Sequence, residues 1–296
     1  MITPPALIPG DTIAIISTAR KISREELETA FAEITNRGFK VIFGKNLFEE
    51  ENQFSGSDTQ RAEDLQTCMD NPEVKAILCA RGGYGTVRII DSIDFSRFAK
   101  SPKWICGYSD VTVLHNKLSR LGIESLHSTM PINFATNTPE ALSSLFDTLS
   151  GKSPEYRFDA HPYNKEGVAE GKLIGGNLSM LYSQTGSNTA LQTEAAILFI
   201  EDLDEYLYHI DRMMYNLRRN GYFEDLAGVI VGGMSDMNDN TVPFGKPAEE
   251  IISDHFSEYD FPVCFGFPAG HLADNRTLIA GRKVKLYVSE NPSLYF

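Results

Sequence analysis

Along the first half of the chain, short β-branched apolar runs alternate with longer segments whose apolar positions recur at helical spacing. DTIAIIS (11–17) follows the turn signal Pro9-Gly10 and predicts a buried strand. SREELETAFAEITNRG (23–38) predicts a helix, with Ser23 and Glu26 spaced as a capping pair and Gly38 past the last turn. KVIFG (40–44) predicts a second strand, 57–72 a helix ended before Pro72, and VKAILCA (74–80) a third strand. Residues 86–94 read as helical, PKWICG (102–107) as a fourth strand and the segment beyond Ser109 to about Arg120 as a helix. A fifth strand over 123–130 and a helix over 139–151 complete this half. Such alternation implies α/β architecture with a parallel sheet covered on both faces. Ligands of such sheets bind at the carboxyl ends of the strands. The loops 81–85 and 107–110 both leave strand carboxyl ends, so they lie on one side of the sheet.

The pattern changes near residue 150. A polar stretch rich in Pro and Gly predicts a linker over 153–167 between an N-terminal domain (1–152) and a C-terminal domain (168–296). In the latter, 168–187 mixes short strands with a Gly-rich turn, and AAILFIED (195–202) is a strand ending in two acids. A helix over 211–223 ends at Gly221, 226–234 and 261–271 are buried strands, and 282–290 is an alternating strand.

Composition narrows the classes of function. The 296 residues are 42% hydrophobic and 23% charged, as expected of a globular chain of one or two domains. A formal net charge of −13 argues against a nucleic-acid partner, which needs a basic surface, and against a polybasic membrane patch. The first residues lack a basic segment leading into a long apolar run, so no secretory signal is expected, and a cytoplasmic location is. Cys68, Cys79, Cys106 and Cys264 are isolated, with no C-x-x-C, so neither a metal site nor a disulfide is expected.

Candidate chemistry begins at Gly107-Tyr108-Ser109-Asp110-Val111. A serine between a buried strand and a helix is either a helix cap or a nucleophile held at a tight turn. The elbow pattern G-x-S-x-G lacks its last glycine here, so both readings stand. A serine nucleophile needs a base. Of six histidines, His115 lies on the following helix, facing solvent or core, and His127 is placed to line the same cleft. His161 is in the linker, while His209 and His255 read as surface residues. His271 follows the buried run PVCFGFPAG, a rigid yet accessible position. A base also needs an acid to fix its tautomer, and Glu201 and Asp202 end a buried strand. The loop Arg81-Gly82-Gly83-Tyr84-Gly85 lets backbone amides approach a ligand, a phosphate or an oxyanion, but matches no nucleotide-binding fingerprint.

The chain resembles the serine LD-carboxypeptidases, the family that also holds microcin self-immunity peptidases. The resemblance is carried by LIPGDTIAIISTA, by FSGSDTQRAEDLQTCMDNPEVKAILCARGGYG, by ICGYSDVTVLH, by GKLIGGNLSML, by LFIEDLDE and by FGFPAGH. It implies a Rossmann-like N-terminal domain followed by a smaller β-rich α/β domain. It also implies a metal- and cofactor-independent triad of Ser109 as nucleophile, Glu201 as acid and His271 as base, assembled across the domain interface. The backbone amides of Asp110 and Gly83 would form the oxyanion hole, Arg81 at the start of the glycine loop is the candidate for the substrate's free carboxylate, and Tyr84 is a further substrate contact. The implied reaction releases the terminal D-alanine of murein tetrapeptides during cell-wall recycling, in what is often a homodimer. Two alternatives are a microcin-immunity-type peptidase acting on peptidyl-nucleotides or acyl-sulfamoyl-adenylates, and a non-catalytic muropeptide-binding module.

Overall fold

The computed structural model describes residues 1–296. In the first lobe the strands β1 (Thr12–Ile16), β2 (Lys40–Phe43), β3 (Val74–Cys79), β4 (Trp104–Gly107) and β5 (Ser125–His127) are all parallel. They lie in the order β2-β1-β3-β4-β5, and the helices α1 (Glu28–Asn36), α2 (Asp58–Asp70), α3 (Thr86–Ile89), α4 (Thr112–Arg120) and α5 (Pro139–Leu149) connect and cover them. This is a doubly wound sheet whose strand order reverses between β1 and β3, where such folds hold ligands. Its two faces carry separate apolar clusters, one around Ile13, Ile15 and Leu78 and one around Ala14, Ile16 and Ile77, as the period of two requires.

The second lobe contains β6 (Glu155–Arg157), β7 (Gly167–Asn177), α6 (Leu178–Ser183), β8 (Ala196–Leu203), α7 (Leu207–Arg219), β9 (Gly228–Ser235), α8 (Ala248–Phe256) and β10 (Val263–Cys264). Its last strands are β12 (Lys283–Val288) and β13 (Ser293–Tyr295), and the sheet order is β10-β9-β8-β7-β12-β13-β6. The half β10-β9-β8-β7 is parallel and the half beyond β7 is antiparallel. The fold is therefore α/β, a parallel-sheet lobe followed by a β-rich one. No helix is long and apolar enough to cross a membrane.

Several expected elements differ. The stretch expected as a linker, 153–167, holds β6, which pairs with β13, and Lys165 bridges to Val263. A short edge strand with one inward residue, Tyr156, has too little apolar period to be recognised in the sequence. The 261–271 run forms only two residues of strand, its remainder winding through glycines at positive φ. Residues 86–94 split into α3 and a 3-10 turn. The helix over 23–38 opens as a 3-10 turn, at which Ser23 and Glu26 exchange reciprocal bonds of 2.8 and 3.3 Å.

The lobes are stitched together by β11 (Leu278–Ala280), which leaves the second lobe and pairs antiparallel with β5 at the edge of the first sheet. Beside it Arg282 forks onto Glu124, with Nε and Nη2 donating at 3.1 and 2.6 Å. The Glu124 side chain is only 5% exposed, so removing its partner strands a carboxylate in low dielectric. Arg282→Ala is expected to lower unfolding free energy by about 2–3 kcal/mol, measured by denaturant titration. A loss below about 0.5 kcal/mol would mean that water already satisfies Glu124.

Candidate active site

The turn after β4 is strained. Ser109 has φ 63°, the left-handed region that non-glycine residues avoid. Its hydroxyl caps neither the 3-10 turn Ser109–Val111 nor α4, so the cap reading fails. Asp110 instead turns its carboxylate back to α3, accepting from the Thr86 amide at 2.8 Å and the Thr86 hydroxyl at 2.5 Å. Burial raises the Asp110 pKa, against the lowering effect of these bonds. Together these contacts fix the turn so that the serine faces a cleft rather than the helix end.

The glycine loop after β3 packs against this serine. A methyl on Gly82 would sit 3.1 Å from Ser109 Cβ and 3.2 Å from its Oγ. The Gly83 amide enters no backbone hydrogen bond, and the Asp110 amide lies 3.5 Å from where a Gly82 methyl would sit. Polar groups without partners beside a solvent-open cleft are placed for a ligand.

From the second lobe comes Glu201, near the end of β8 and fully buried. Its Oε2 accepts from His271 Nδ1 at 2.7 Å and from the His271 amide at 3.2 Å. A donating Nδ1–H leaves the His271 Nε2 lone pair free to take a proton. Burial lowers the His271 pKa, but the Glu201 charge, its hydrogen bond and the Asp202 charge outweigh burial and leave it above the ordinary 6.5. The Tyr108 ring packs edge-on against the imidazole at 4.8 Å between centroids, and its hydroxyl donates to Asn133 Oδ1 at 3.2 Å. The residue next to Ser109 thus packs against His271 from the other lobe.

The glycine pair Gly175-Gly176 at the end of β7 explains how the lobes meet. Side chains there would overlap Phe199 and Thr112, and both residues have positive φ. Without them, the Asn177 amide reaches Thr112 Oγ1 at 3.0 Å, three residues past Ser109. The Asn177 side chain then donates to Asp202 Oδ1 at 2.8 Å, next to Glu201. Burial, then the adjacent Glu201 charge, pushes the Asp202 pKa up to about 7.

Ser109, His271, Gly83, Arg81 and Tyr84 line one cleft of about 400 Å³. Glu201 lies behind His271, Asp110 behind the serine turn. No hydrogen bond joins the Ser109 hydroxyl to His271, and bonds of this kind in active sites commonly tighten only when substrate binds. Arg81 is partly engaged, donating to the Lys21 carbonyl at 3.1 Å and lying 3.6 Å from Glu26. Tyr84 is 45% exposed at the rim.

The other histidines go elsewhere. His115 is buried, bridging the Gly107 carbonyl and Ser125 Oγ at 2.8 Å each, and burial pushes its pKa down to about 4. His127 does not line the cleft: it is buried beneath Tyr108 and Phe199 with neither ring nitrogen bonded. His255, expected at the surface, is buried on α8 and meets Asp211 at 2.8 Å. No group of three or more His, Cys, Asp and Glu converges as metal ligands would. Reading the residues did not single out Arg20, Tyr108, Asn177 or Gly270 as parts of the site. The glycines of GGN and PAGH were the available signal for the last two.

Residues 13–128 match the family description LD-carboxypeptidase N-terminal domain, and residues 170–286 match LD-carboxypeptidase C-terminal domain. A relative in Bacillus subtilis (strain 168), called a probable murein peptide carboxypeptidase, is 34% identical over 98% of this chain and 93% of its own. The crystal structure of a muramoyltetrapeptide carboxypeptidase from Oxalobacter formigenes superposes with TM-score 0.88 at 27% identity, covering 96% of this chain and 98% of that one. Microcin C7 self immunity protein MccF in its wild-type apo state has TM-score 0.86 at 23% identity, over 98% and 97%, a likeness of fold.

Proposed function

The chain belongs to the LD-carboxypeptidase family of serine peptidases, and on that premise we propose that it hydrolyses the bond to the terminal D-alanine of murein tetrapeptides through Ser109, Glu201 and His271. The observation that carries this reading is the buried Glu201 bonded to His271 at 2.7 Å, in a cleft shared with a strained, uncapped serine.

In the proposed reaction Ser109 Oγ attacks the carbonyl of the L-centred residue, and His271 Nε2 takes the hydroxyl proton. The imidazolium is stabilised by Glu201. The oxyanion is held by the Asp110 and Gly83 amides. Collapse breaks the C–N bond, and His271 returns its proton to the departing D-alanine nitrogen. A water, deprotonated by His271, then splits the acyl-enzyme, releasing the tripeptide and restoring the Ser109 proton.

The direct test is incubation with a murein tetrapeptide and detection of free D-alanine by mass spectrometry. A second reading takes a peptidyl-nucleotide or aminoacyl-sulfamoyl-adenosine substrate, favoured by the exposed aromatic face of Tyr84 at the cleft rim. Cleavage of an aminoacyl-sulfamoyl adenosine without D-alanine release would choose it.

The pH dependence follows from the base. His271 accepts a proton only when neutral, and its pKa lies above 6.5. Activity is therefore lost as pH falls through that raised value. The acid limb of kcat/KM, which reports the free enzyme, is expected to have its midpoint above 6.5. A midpoint well below 6.5 would mean that Glu201 does not hold the imidazolium.

A further inference from the structure

A carboxypeptidase must recognise a free terminal carboxylate, and the cleft offers two arginines for it, Arg20 and Arg81. Their circumstances differ. Arg81 already donates to the Lys21 carbonyl and faces Glu26, and its side chain is 28% exposed. Arg20 is exposed, and its guanidinium has no ion pair and no hydrogen bond within the protein. It stands in the loop after β1, while the Gly82-Gly83 loop follows β3, so the two flank the point where the strand order reverses.

The Arg20 stem lies over Gly83. A methyl on Gly83 would sit 2.7 Å from Arg20 Cδ, 2.8 Å from Cγ and 3.0 Å from Nε. Gly83 is also the residue whose amide is assigned to the oxyanion. The terminal carboxylate of the departing D-alanine lies one residue beyond the scissile carbonyl, roughly 3.8 Å along the chain. The second lobe's share of the lining carries Asp204 and Glu205, acidic side chains that disfavour a carboxylate on that side. A substrate anion therefore has one side of the cleft on which to settle.

We infer that Arg20 is the residue that binds the terminal carboxylate of the substrate, with Arg81 holding the loop beside it. The inference rests on the carboxypeptidase reaction proposed above. A guanidinium presents two parallel N–H donors to a carboxylate, which gives orientation as well as attraction. Because Arg20 is the group left unpaired, it requires no internal bond to be broken when the anion arrives. It also explains the glycine at 83 by a second need, space for the arginine stem, beside the amide facing the oxyanion.

The experiment compares a murein tetrapeptide with its C-terminal amide. The parent is expected to prefer the acid, and Arg20→Gln to reduce that preference, measured as the ratio of kcat/KM values, by roughly 10- to 100-fold. Arg20→Lys is expected to restore part of it, and Arg81→Gln to leave the ratio within about threefold. An unchanged ratio in Arg20→Gln, or an equal loss on acid and amide, overturns the inference. Calorimetric titration of the same two peptides into Ser109→Ala, with and without Arg20→Gln, separates the subsite from the reaction. Arg20-dependent preference for the acid without any D-alanine release by the parent would sink the proposed reaction and keep the anion site. No preference in either assay, with D-alanine still released by the parent, would sink the anion site and keep the proposed reaction.

Discussion

Ser109→Ala is expected to lower D-alanine release by about 10⁴- to 10⁶-fold, the cost of removing a nucleophile whose partners act as a unit with it. The structural reason is that Ser109 Oγ has no other duty: it caps no helix, and the turn is held by Asp110 and Thr86 instead. Alanine keeps the backbone at φ 63° without adding or removing a supporting contact, so the variant should melt with the parent. Ser109→Gly sharpens the point. Glycine relieves a left-handed strain of order 1–2 kcal/mol, partly offset by its own greater chain entropy. That variant is expected to be equally inactive and at least as stable as the parent. Labelling with a fluorophosphonate should place the adduct on Ser109 and disappear in both variants. Undiminished release by Ser109→Ala would remove this serine from the chemistry.

The sequence made the first sheet legible because fully buried parallel strands read as unbroken apolar runs. DTIAIIS and VKAILCA became β1 and β3 with shifts of at most one residue at each end. It made β6 and β11 illegible, since each is three residues long and gains its place from a partner strand distant along the chain. The same locality limits the site. Ser109, Glu201 and His271 each leave an apolar run, a position that marks rigid placement, so reading the residues could nominate them. What joins them could not be read that way. Tyr108 against His271 and Thr112 against the Asn177 amide are contacts between lobes, and the Asn177 side chain carries the second on to Asp202. His255 failed for a related reason: its polar neighbours along α8 face solvent, whereas its own ring turns inward to Asp211. Glycines at the site carried more information than their turn role suggested, because Gly83, Gly176 and Gly270 each mark where a neighbour's side chain must pass.

Gly270 gives the second large effect, and it tests whether that reading of glycine is correct. Its φ is 107°, a conformation that side chains with a Cβ rarely adopt, and a methyl there would sit 2.7 Å from both Glu201 Cβ and Oε2. The crowding cannot be relieved by Glu201, which is fully buried and whose Oε2 is bonded to the His271 ring and amide. Nor can residue 270 swing away freely, because its amide donates to Asn275 Oδ1 at 2.9 Å and the His271 carbonyl accepts from Ser235 Oγ at 2.8 Å. Gly270→Ala must therefore shift either the carboxylate or the histidine. A misplacement of about 1 Å in a catalytic constellation costs on the order of 10²-fold, and loss of the group that orients the histidine about 10⁴-fold. We expect kcat/KM to fall between those limits and unfolding free energy to fall by about 2–4 kcal/mol from strain and overpacking. The acid limb of the pH profile should also move down, because a histidine separated from Glu201 keeps the burial that lowers its pKa and loses the charge that raises it. That third readout distinguishes a displaced pair from a merely weakened fold. A variant with lowered stability, an unmoved acid limb and activity within about threefold of the parent would show that the glycine serves the backbone turn alone.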